Sequence, residues 1–264
     1  MRVGHVQFSP ILGDLEGNRN QVRRLIESAP AADLLVLPEL ANSGYRFPGK
    51  EEARECAESA QDGPFVRLLQ ELAAARGAIL VSGLCEREGD RLYNSAVLVT
   101  PAGEVRLYRK NHLFLDEKDL FEPGNLGLPV FEAGGVRIGI LICFDWQFPE
   151  AWRVLALEGV EIVCHPSNLV LPGLAQRAVP IHALLNRLFV VTANRIGTER
   201  DLTFTGNSII VSPRGEVLWS ASHDREEVGI VEIDPAVARD KSVTARNDLL
   251  ADRRPELYGA ITER

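Results

Sequence analysis

The chain has 264 residues, of which 45% are hydrophobic and 25% are charged, a composition typical of an ordinary globular protein and not of a disordered one. The formal net charge is −8 and the Lys and Arg residues are scattered, so the sequence predicts no nucleic-acid partner. The opening MRVGHVQFSP has no apolar leader and no apolar run approaches the roughly 20 residues that span a membrane, so we predict a cytoplasmic protein with no membrane partner.

In the first half of the chain, short runs of apolar and β-branched residues alternate with helical patterns. The apolar runs predict strands at residues 2–8, 33–37, 78–85, 93–100 and 104–108. Apolar residues at helical spacing predict helices at residues 18–28 and 64–75. The PAG at residues 101–103 turns the last two strands into a hairpin.

The second half continues the alternation and adds another hairpin. Strands are predicted at residues 136–142, 161–165, 188–194, 208–212, 217–219 and 228–233. A helix is predicted to open at Pro149 and another to run over residues 175–186. The sequence has no repeat and no linker, which favours a single domain. The pattern fits α/β layers around one mixed sheet, or two packed sheets covered by helices.

Cys143 is the candidate nucleophile, because it stands where the apolar strand VRIGILI ends and a helix is expected to open. The unpaired N–H groups of a helix start can face an oxyanion, and the helix dipole favours a thiolate. The competing interpretation is a buried structural cysteine, which we adopt for Cys56, Cys85 and Cys164. The cysteines have neither CxxC nor zinc spacing, so no metal and no other cofactor is predicted.

Three charged residues are candidates for the base and the cation that a thiol attack on an amide requires. Glu39 directly follows the buried strand DLLVLP, where a carboxylate is unusual. Lys110 follows a hairpin strand in EVRLYRKNHLF, and Glu117 belongs to an acidic cluster in LDEKDLFEPGN. Taken singly, Glu39 is equally well interpreted as a capping or surface-paired residue, whereas Lys110 and Glu117 are better interpreted as solvated residues.

The segments LPEL, YRKNHLF and ICFDWQFPE together resemble the three catalytic blocks of the nitrilase, or carbon–nitrogen hydrolase, superfamily, in the order and with intervals similar to those of that family. The segments VGHVQFSP, YNSAVLVTPAGEV, FEPGN and HPSNL extend the resemblance over nearly the whole chain. The pattern looks closest to the small amidase and nitrilase members.

The resemblance implies specific roles for the candidate residues. It implies Glu39 as general base, Lys110 as oxyanion stabiliser, Cys143 as nucleophile, and Glu117 as a second glutamate that orients Lys110 and the substrate. The backbone N–H of Phe144 would complete the oxyanion hole. Tyr45, Trp146 and Asn168 are expected to bind substrate together with Phe144.

The resemblance also implies the fold and the assembly. It implies a four-layer α–β–β–α sandwich that forms one domain over residues 1–264. Subunits of the family usually pair through helices near the nucleophile, so we expect a homodimer or a higher homo-oligomer. Residues from about 240 onward are expected to form a C-terminal tail that packs on the partner subunit.

The expected reaction is hydrolysis of a small aliphatic or aromatic amide, or of a nitrile, to the carboxylic acid and ammonia through a cysteine thioester. The alternative within the enzymes is an N-carbamoyl amino acid amidohydrolase or an ω-amidase. Such relatives often carry an Arg shortly after the cysteine, whereas this chain has Asp145, Trp146, Gln147 and Phe148. Arg177 or Arg195 would have to bind the substrate carboxylate instead.

Other classes of function are less well supported by the sequence. GYRFPGK at residues 44–50 nearly fits a phosphate-binding loop, but Glu51 stands where Ser or Thr should bind magnesium, and no strong helix is predicted to follow. The five histidines are scattered and are interpreted as structural. A non-catalytic binding or scaffold relative should lack Glu39, Lys110 or Cys143, and none of them is missing.

Overall fold

A computed structural model describes residues 1–263 as two six-stranded sheets packed face to face, with helices covering both outer surfaces. Six α-helices are assigned, α1 to α6 in chain order: Leu15–Ser28, Lys50–Cys56, Pro64–Arg76, Glu117–Leu120, Pro149–Leu157 and Leu174–Asn186. Strands β1 to β8 are Arg2–Gln7, Leu34–Val36, Ile79–Glu88, Arg91–Val99, Val105–Arg109, Val130–Ala133, Val136–Ile140 and Ile162–Ser167. Strands β9 to β16 are Phe189–Asn194, Thr198–Glu199, Leu202–Thr203, Ile209–Val211, Val217–Ser220, Glu227–Glu232, Ser242–Thr244 and Asn247–Asp248.

Each large sheet has a parallel centre and antiparallel edges. The first sheet has the order β14-β1-β2-β3-β4-β5, and the second β13-β12-β9-β8-β7-β6. The parallel pairs are β1–β2 and β2–β3 in the first sheet, and β7–β8 and β8–β9 in the second. Strands buried on both faces explain why the central runs are almost continuously apolar.

Two hydrophobic cores hold the four layers together. One fills the space between the sheets and continues under α5 and α6, with Val3, Leu34, Ile138 and Trp152 among its fully buried members. The other lies between the first sheet and the helices α1 and α3. The fold is therefore a four-layer α–β–β–α sandwich in one domain, as the resemblance implied.

The ends of the helices follow local chemistry. Asp14 caps α1 by accepting a hydrogen bond from the Gly17 N–H at 2.9 Å, so α1 begins three residues earlier than predicted. Pro64 and Pro149 occupy first-turn positions of α3 and α5, where a missing N–H costs nothing. Gly77 ends α3 in the left-handed region at φ 62°, which favours glycine.

Besides the short strand pairs β10–β11 and β15–β16 and the 3₁₀ turns, three elements differ from the sequence prediction. A seven-residue helix, α2, begins at Lys50, so a helix does follow the GYRFPGK segment that was expected to lack one. The acidic cluster around Glu117, interpreted as a solvated loop, forms the short helix α4 with Glu117 on its buried side. Edge strand β6 was not predicted, because three of its four residues are only partly buried or exposed and show no clear alternation.

The C-terminal stretch from Ser242 to Glu263 contains only short two-stranded and 3₁₀ pieces. It lies beside α5 and α6, leaving between them a groove of about 770 Å³. No helix within residues 1–263 is both long and apolar enough to cross a membrane.

Candidate active site

The ends of four strands bring the predicted site residues together. Glu39 follows β2, Lys110 follows β5, Cys143 follows β7 and Asn168 follows β8. Gly83 on β3 makes this approach possible, because a Cβ at that position would lie 2.4 Å from the Cα of Glu39. Only glycine fits there without moving the Glu39 backbone.

Lys110 forms the centre of a buried charge cluster. Its Nζ donates to Glu39 Oε1 at 2.7 Å and to Glu117 Oε1 at 2.8 Å. Lys110 and Glu39 are fully buried, and Glu117 is 3% exposed. One ammonium between two carboxylates satisfies charges that would otherwise be very costly to bury.

The pKa values of the cluster follow from burial and mutual charge. Burial alone lowers the pKa of Lys110, but the charges of Glu117 and Glu39 outweigh it and raise that pKa above its usual range. Burial also raises the pKa of Glu117, with Lys110 opposing and Glu39 reinforcing the rise. Lys110 is therefore a fixed cation at neutral pH.

Glu117 is held in place by two further donors. The Tyr45 hydroxyl donates to Glu117 Oε1 at 2.7 Å, and the Phe114 N–H donates to Oε2 at 3.2 Å. Tyr45 was predicted to bind substrate, but the structure places it against Glu117, outside the set of residues that line the cavity beside Cys143. Its position makes it a support for the carboxylate.

Cys143 lies at a sharp turn between β7 and α5. Its φ of +42° belongs to the left-handed region, which costs a non-glycine residue of order 1 kcal/mol. The element that begins there is a five-residue 3₁₀ turn, Cys143–Gln147, and the predicted helix follows it from Pro149 as α5. The first N–H groups of such a turn have no partners within it, which leaves the Phe144 N–H available to an oxyanion.

Burial and the neighbouring charges together set the pKa of the Cys143 thiol. Burial raises the pKa of Cys143 well above its ordinary value, and the charge of Glu39 raises it further. Lys110 and a hydrogen bond from the Asn168 N–H lower it, but they do not compensate. Attack of this thiol on an amide therefore requires a base that removes its proton.

Two residues that the sequence did not single out hold this turn. Asp145 accepts hydrogen bonds from the Ile142 N–H at 2.8 Å, the Tyr108 hydroxyl at 2.7 Å and His112 Nδ1 at 2.7 Å. His165 Nε2 donates to the carbonyl oxygen of Cys143 at 2.9 Å. The signals in the sequence were the position of Asp145 two residues after the cysteine and that of His165 at the start of the HPSNL segment.

A small cavity of about 20 Å³, room for one water molecule, adjoins Cys143. Three of the predicted substrate-binding residues, Phe144, Trp146 and Asn168, line it. The remaining wall residues are apolar: Phe114, Leu169, Val170, Leu171 and Ala175. Asn168 is 2% exposed, and neither Oδ1 nor Nδ2 has a partner among residues 1–263, so both are free to bind a ligand.

The two arginines considered as carboxylate binders do not line this cavity. Arg195 is 1% exposed, its Nη1 donates to Glu199 at 3.2 Å and its guanidinium stacks on the Phe204 ring. Arg177 is exposed on α6, and its Nε donates to the Gly173 carbonyl. The described part of the chain contains no group of three or more His, Cys, Asp or Glu residues that could hold a metal ion.

Comparisons with known proteins show the family of the chain. The model of the carbon–nitrogen hydrolase family matches residues 2–241. A protein named nitrilase from Pyrococcus abyssi is 46% identical over 260 residues, covering 98% of this chain and 99% of the relative. An (R)-stereoselective amidase from Pseudomonas sp. is 38% identical over 267 residues, covering 100% and 95%.

A solved structure is similar over nearly the whole length. It is a mutant of the amidase from Nesterenkonia sp. AN1 that shows covalent addition of the acetamide moiety of fluoroacetamide at its active-site cysteine. The TM-score is 0.81 at 26% identity, covering 98% of this chain and 96% of that one.

Proposed function

Since the chain belongs to the carbon–nitrogen hydrolase family and is an enzyme of the nitrilase and amidase type, we propose that it cleaves the C–N bond of a small neutral amide through a thioester on Cys143. The observation that carries this proposal is the fully buried Lys110, held between Glu39 and Glu117 at the strand ends that also place Cys143. The intact cluster and the family argue against a non-catalytic scaffold.

The proposed reaction has two halves. Glu39 takes the proton of Cys143 Sγ, and the thiolate attacks the amide carbon. Lys110 Nζ and the Phe144 N–H hold the oxyanion, and Glu39 returns the proton to the nitrogen as ammonia leaves. Glu39 then takes a proton from water, whose oxygen attacks the thioester carbon. The C–S bond breaks, the acid is released, and Glu39 returns the proton to Cys143 Sγ. Glu117 and Tyr45 keep Lys110 in position throughout.

The cavity wall supports a neutral acyl group. The residues that line it carry no charged side chain, so the carboxylate of an N-carbamoyl amino acid or a dicarboxylate ω-amide would be buried without a cation. We therefore rank these two alternatives below a neutral amide. The engagement of Arg195 with Glu199 supports that ranking.

We propose that Asn168 favours amides over nitriles. An amide can donate an N–H to the unpartnered Oδ1 of Asn168, whereas a nitrile nitrogen only accepts and leaves Oδ1 buried and unpaired. An unpaired buried acceptor costs about 1–3 kcal/mol, or roughly 10- to 100-fold in rate.

The test is ammonia release from a neutral aliphatic amide, its matched nitrile, an N-carbamoyl amino acid and a dicarboxylate ω-amide. We expect kcat/KM to be highest for the neutral amide and to exceed that of the nitrile by at least about tenfold. Asn168→Leu should shrink the amide-to-nitrile ratio, while Val170→Ala on the same wall should preserve it. A kcat/KM that is higher for a carboxylate-bearing substrate than for the neutral amide would overturn the proposal of a neutral substrate.

We also propose that the enzyme is a homodimer, with α5, α6 and the C-terminal stretch as its interface. Exposed apolar side chains cluster there and face the groove: Val154, Leu157, Leu185, Val243, Tyr258 and Ile261. A contiguous exposed apolar surface of this kind marks an interaction site. The stretch from about residue 240 would then pack on the partner subunit.

Replacing Val154 and Leu185 together by aspartate should convert the dimer to a monomer, because it would bury charges in an apolar interface. Light scattering behind gel filtration measures the mass. Ile11→Asp, an equally exposed apolar residue on another surface, is the control and should leave the mass unchanged. A wild-type protein that is monomeric at micromolar concentration would contradict the proposal.

The unpaired cysteines support a reducing location. All four cysteines are free, including the proposed nucleophile. Because an oxidised Cys143 cannot attack an amide, we place the enzyme in the cytoplasm. Cell fractionation tests this, and active enzyme found only in an oxidising compartment would contradict it.

A further inference from the structure

The two carboxylate oxygens of Glu39 have very different surroundings. Oε1 accepts hydrogen bonds from Lys110 Nζ at 2.7 Å and from Asn94 Nδ2 at 2.6 Å. Oε2 is equally buried, but within residues 1–263 it has no hydrogen-bond partner. A buried carboxylate oxygen without a donor is uncommon and calls for an explanation. Oε2 is the atom that can take a proton.

Asn94 contacts both members of the Glu39–Lys110 pair. It lies on β4, is 1% exposed, and its carbonyl oxygen accepts the backbone N–H of Lys110 at 2.8 Å. The orientation of its side-chain amide is fixed, because a carboxylate only accepts and must face the NH₂ group. One residue therefore sets the backbone of the cation and the rotation of the carboxylate.

We propose that Asn94 is a positioning residue that locks the Glu39 carboxylate with Oε2 free for the Cys143 proton. The Lys110 ammonium cannot do this alone, because it is shared with Glu117 and its three donors rotate freely. Two donors on Oε1 fix the carboxylate plane, whereas a single donor lets it turn. This inference rests on the proposed function, since it requires Glu39 to be the base.

The test measures the base step without a substrate. Iodoacetamide alkylates a cysteine only as its thiolate, so the alkylation rate of Cys143, followed by mass spectrometry of its peptide, reports proton removal by Glu39. We expect Asn94→Ala to slow this rate by about 10- to 100-fold. The control is Ser95→Ala at the next position on β4. It removes a buried hydroxyl that donates a hydrogen bond to Glu86, and Cys143 in this variant should be alkylated at the wild-type rate.

Asn94→Asp separates positioning from simple packing. The variant keeps the shape of the side chain but sets a second carboxyl group against Glu39, so the two must share a proton. Its alkylation rate relative to wild type should fall as pH rises and that proton is lost. A purely structural role would give the same ratio at every pH, and that result would overturn the proposal.

Glu39→Gln separates the role of Asn94 in positioning from the role of Glu39 as the base. If it alkylates slowly while folded Asn94→Ala alkylates at the wild-type rate, the role of Asn94 is refuted and the base remains. If Glu39→Gln itself alkylates at the wild-type rate, Glu39 is not the base and both proposals are overturned. Circular dichroism establishes that each variant is folded.

Discussion

Cys143→Ala is expected to lower kcat for amide hydrolysis by at least about 10⁴-fold, because no other group can form the covalent intermediate. The substitution removes a single buried sulfur atom and leaves the Glu39–Lys110–Glu117 cluster intact, so the variant should remain folded. The measurement is ammonia release at saturating amide, with folding checked by thermal denaturation.

Cys164→Ala is the matched control for this loss. Cys164 is also free and fully buried, and it lies on β8, next to β7 in the sheet. Its truncation should cost stability of order 1 kcal/mol through a small cavity but leave kcat within about threefold. If Cys143→Ala retained activity while Cys164→Ala lost it, the nucleophile would have been assigned to the wrong cysteine.

Lys110→Met should abolish activity and also destabilise the fold. The change leaves Glu39 and Glu117 buried together without their shared cation, which typically costs about 3–5 kcal/mol. The carboxylates must then bind a proton, so Glu39 loses its function as base and the oxyanion loses its cation. We expect kcat to fall by at least about 10³-fold.

A second substitution separates the two effects of Lys110→Met. Lys110→Met combined with Glu117→Gln removes one of the stranded charges and should recover part of the free energy of unfolding in urea, but no activity. Lys118→Met, on the exposed side of α4, is the control and should be neutral in both respects. An active or fully stable Lys110→Met variant would refute the role of the cluster.

The sequence singled out Glu39, Lys110 and Cys143 as candidates, but it did not single out Asn94 or Asp145, which contact Glu39 and the turn at Cys143. Glu39, Lys110 and Cys143 each end or follow an apolar strand, and strand ends can be read from local patterns. Periodicity alone left two arrangements open, one mixed sheet or two packed sheets covered by helices. The resemblance indicated the second, which is the arrangement found. The packing of two sheets against each other is a tertiary property that no local pattern encodes.

Asn94 and Asp145 show why the positioning residues could not be predicted from the sequence. Asn94 is one polar residue within the strand YNSAVLV, and nothing local reveals that it meets Glu39, 55 positions earlier in the chain. Asp145 was noted only as standing where some relatives carry an arginine. Its hydrogen bonds to Tyr108 and His112 appear once β5 and β7 are placed in space.

Burial is a further property that no local pattern encodes. The start of a helical turn at Cys143 favours a thiolate, whereas the surrounding core and the charge of Glu39 raise the pKa of the thiol.

A thioester mechanism requires Cys143 to carry the acyl group of the substrate during turnover. Mass spectrometry of the enzyme, quenched in acid while it turns over its best amide, detects such an adduct. We expect a mass increase equal to the acyl group on the peptide containing Cys143, absent from Cys143→Ala. Turnover without an adduct under rapid quenching, or an adduct on any other residue, would contradict it.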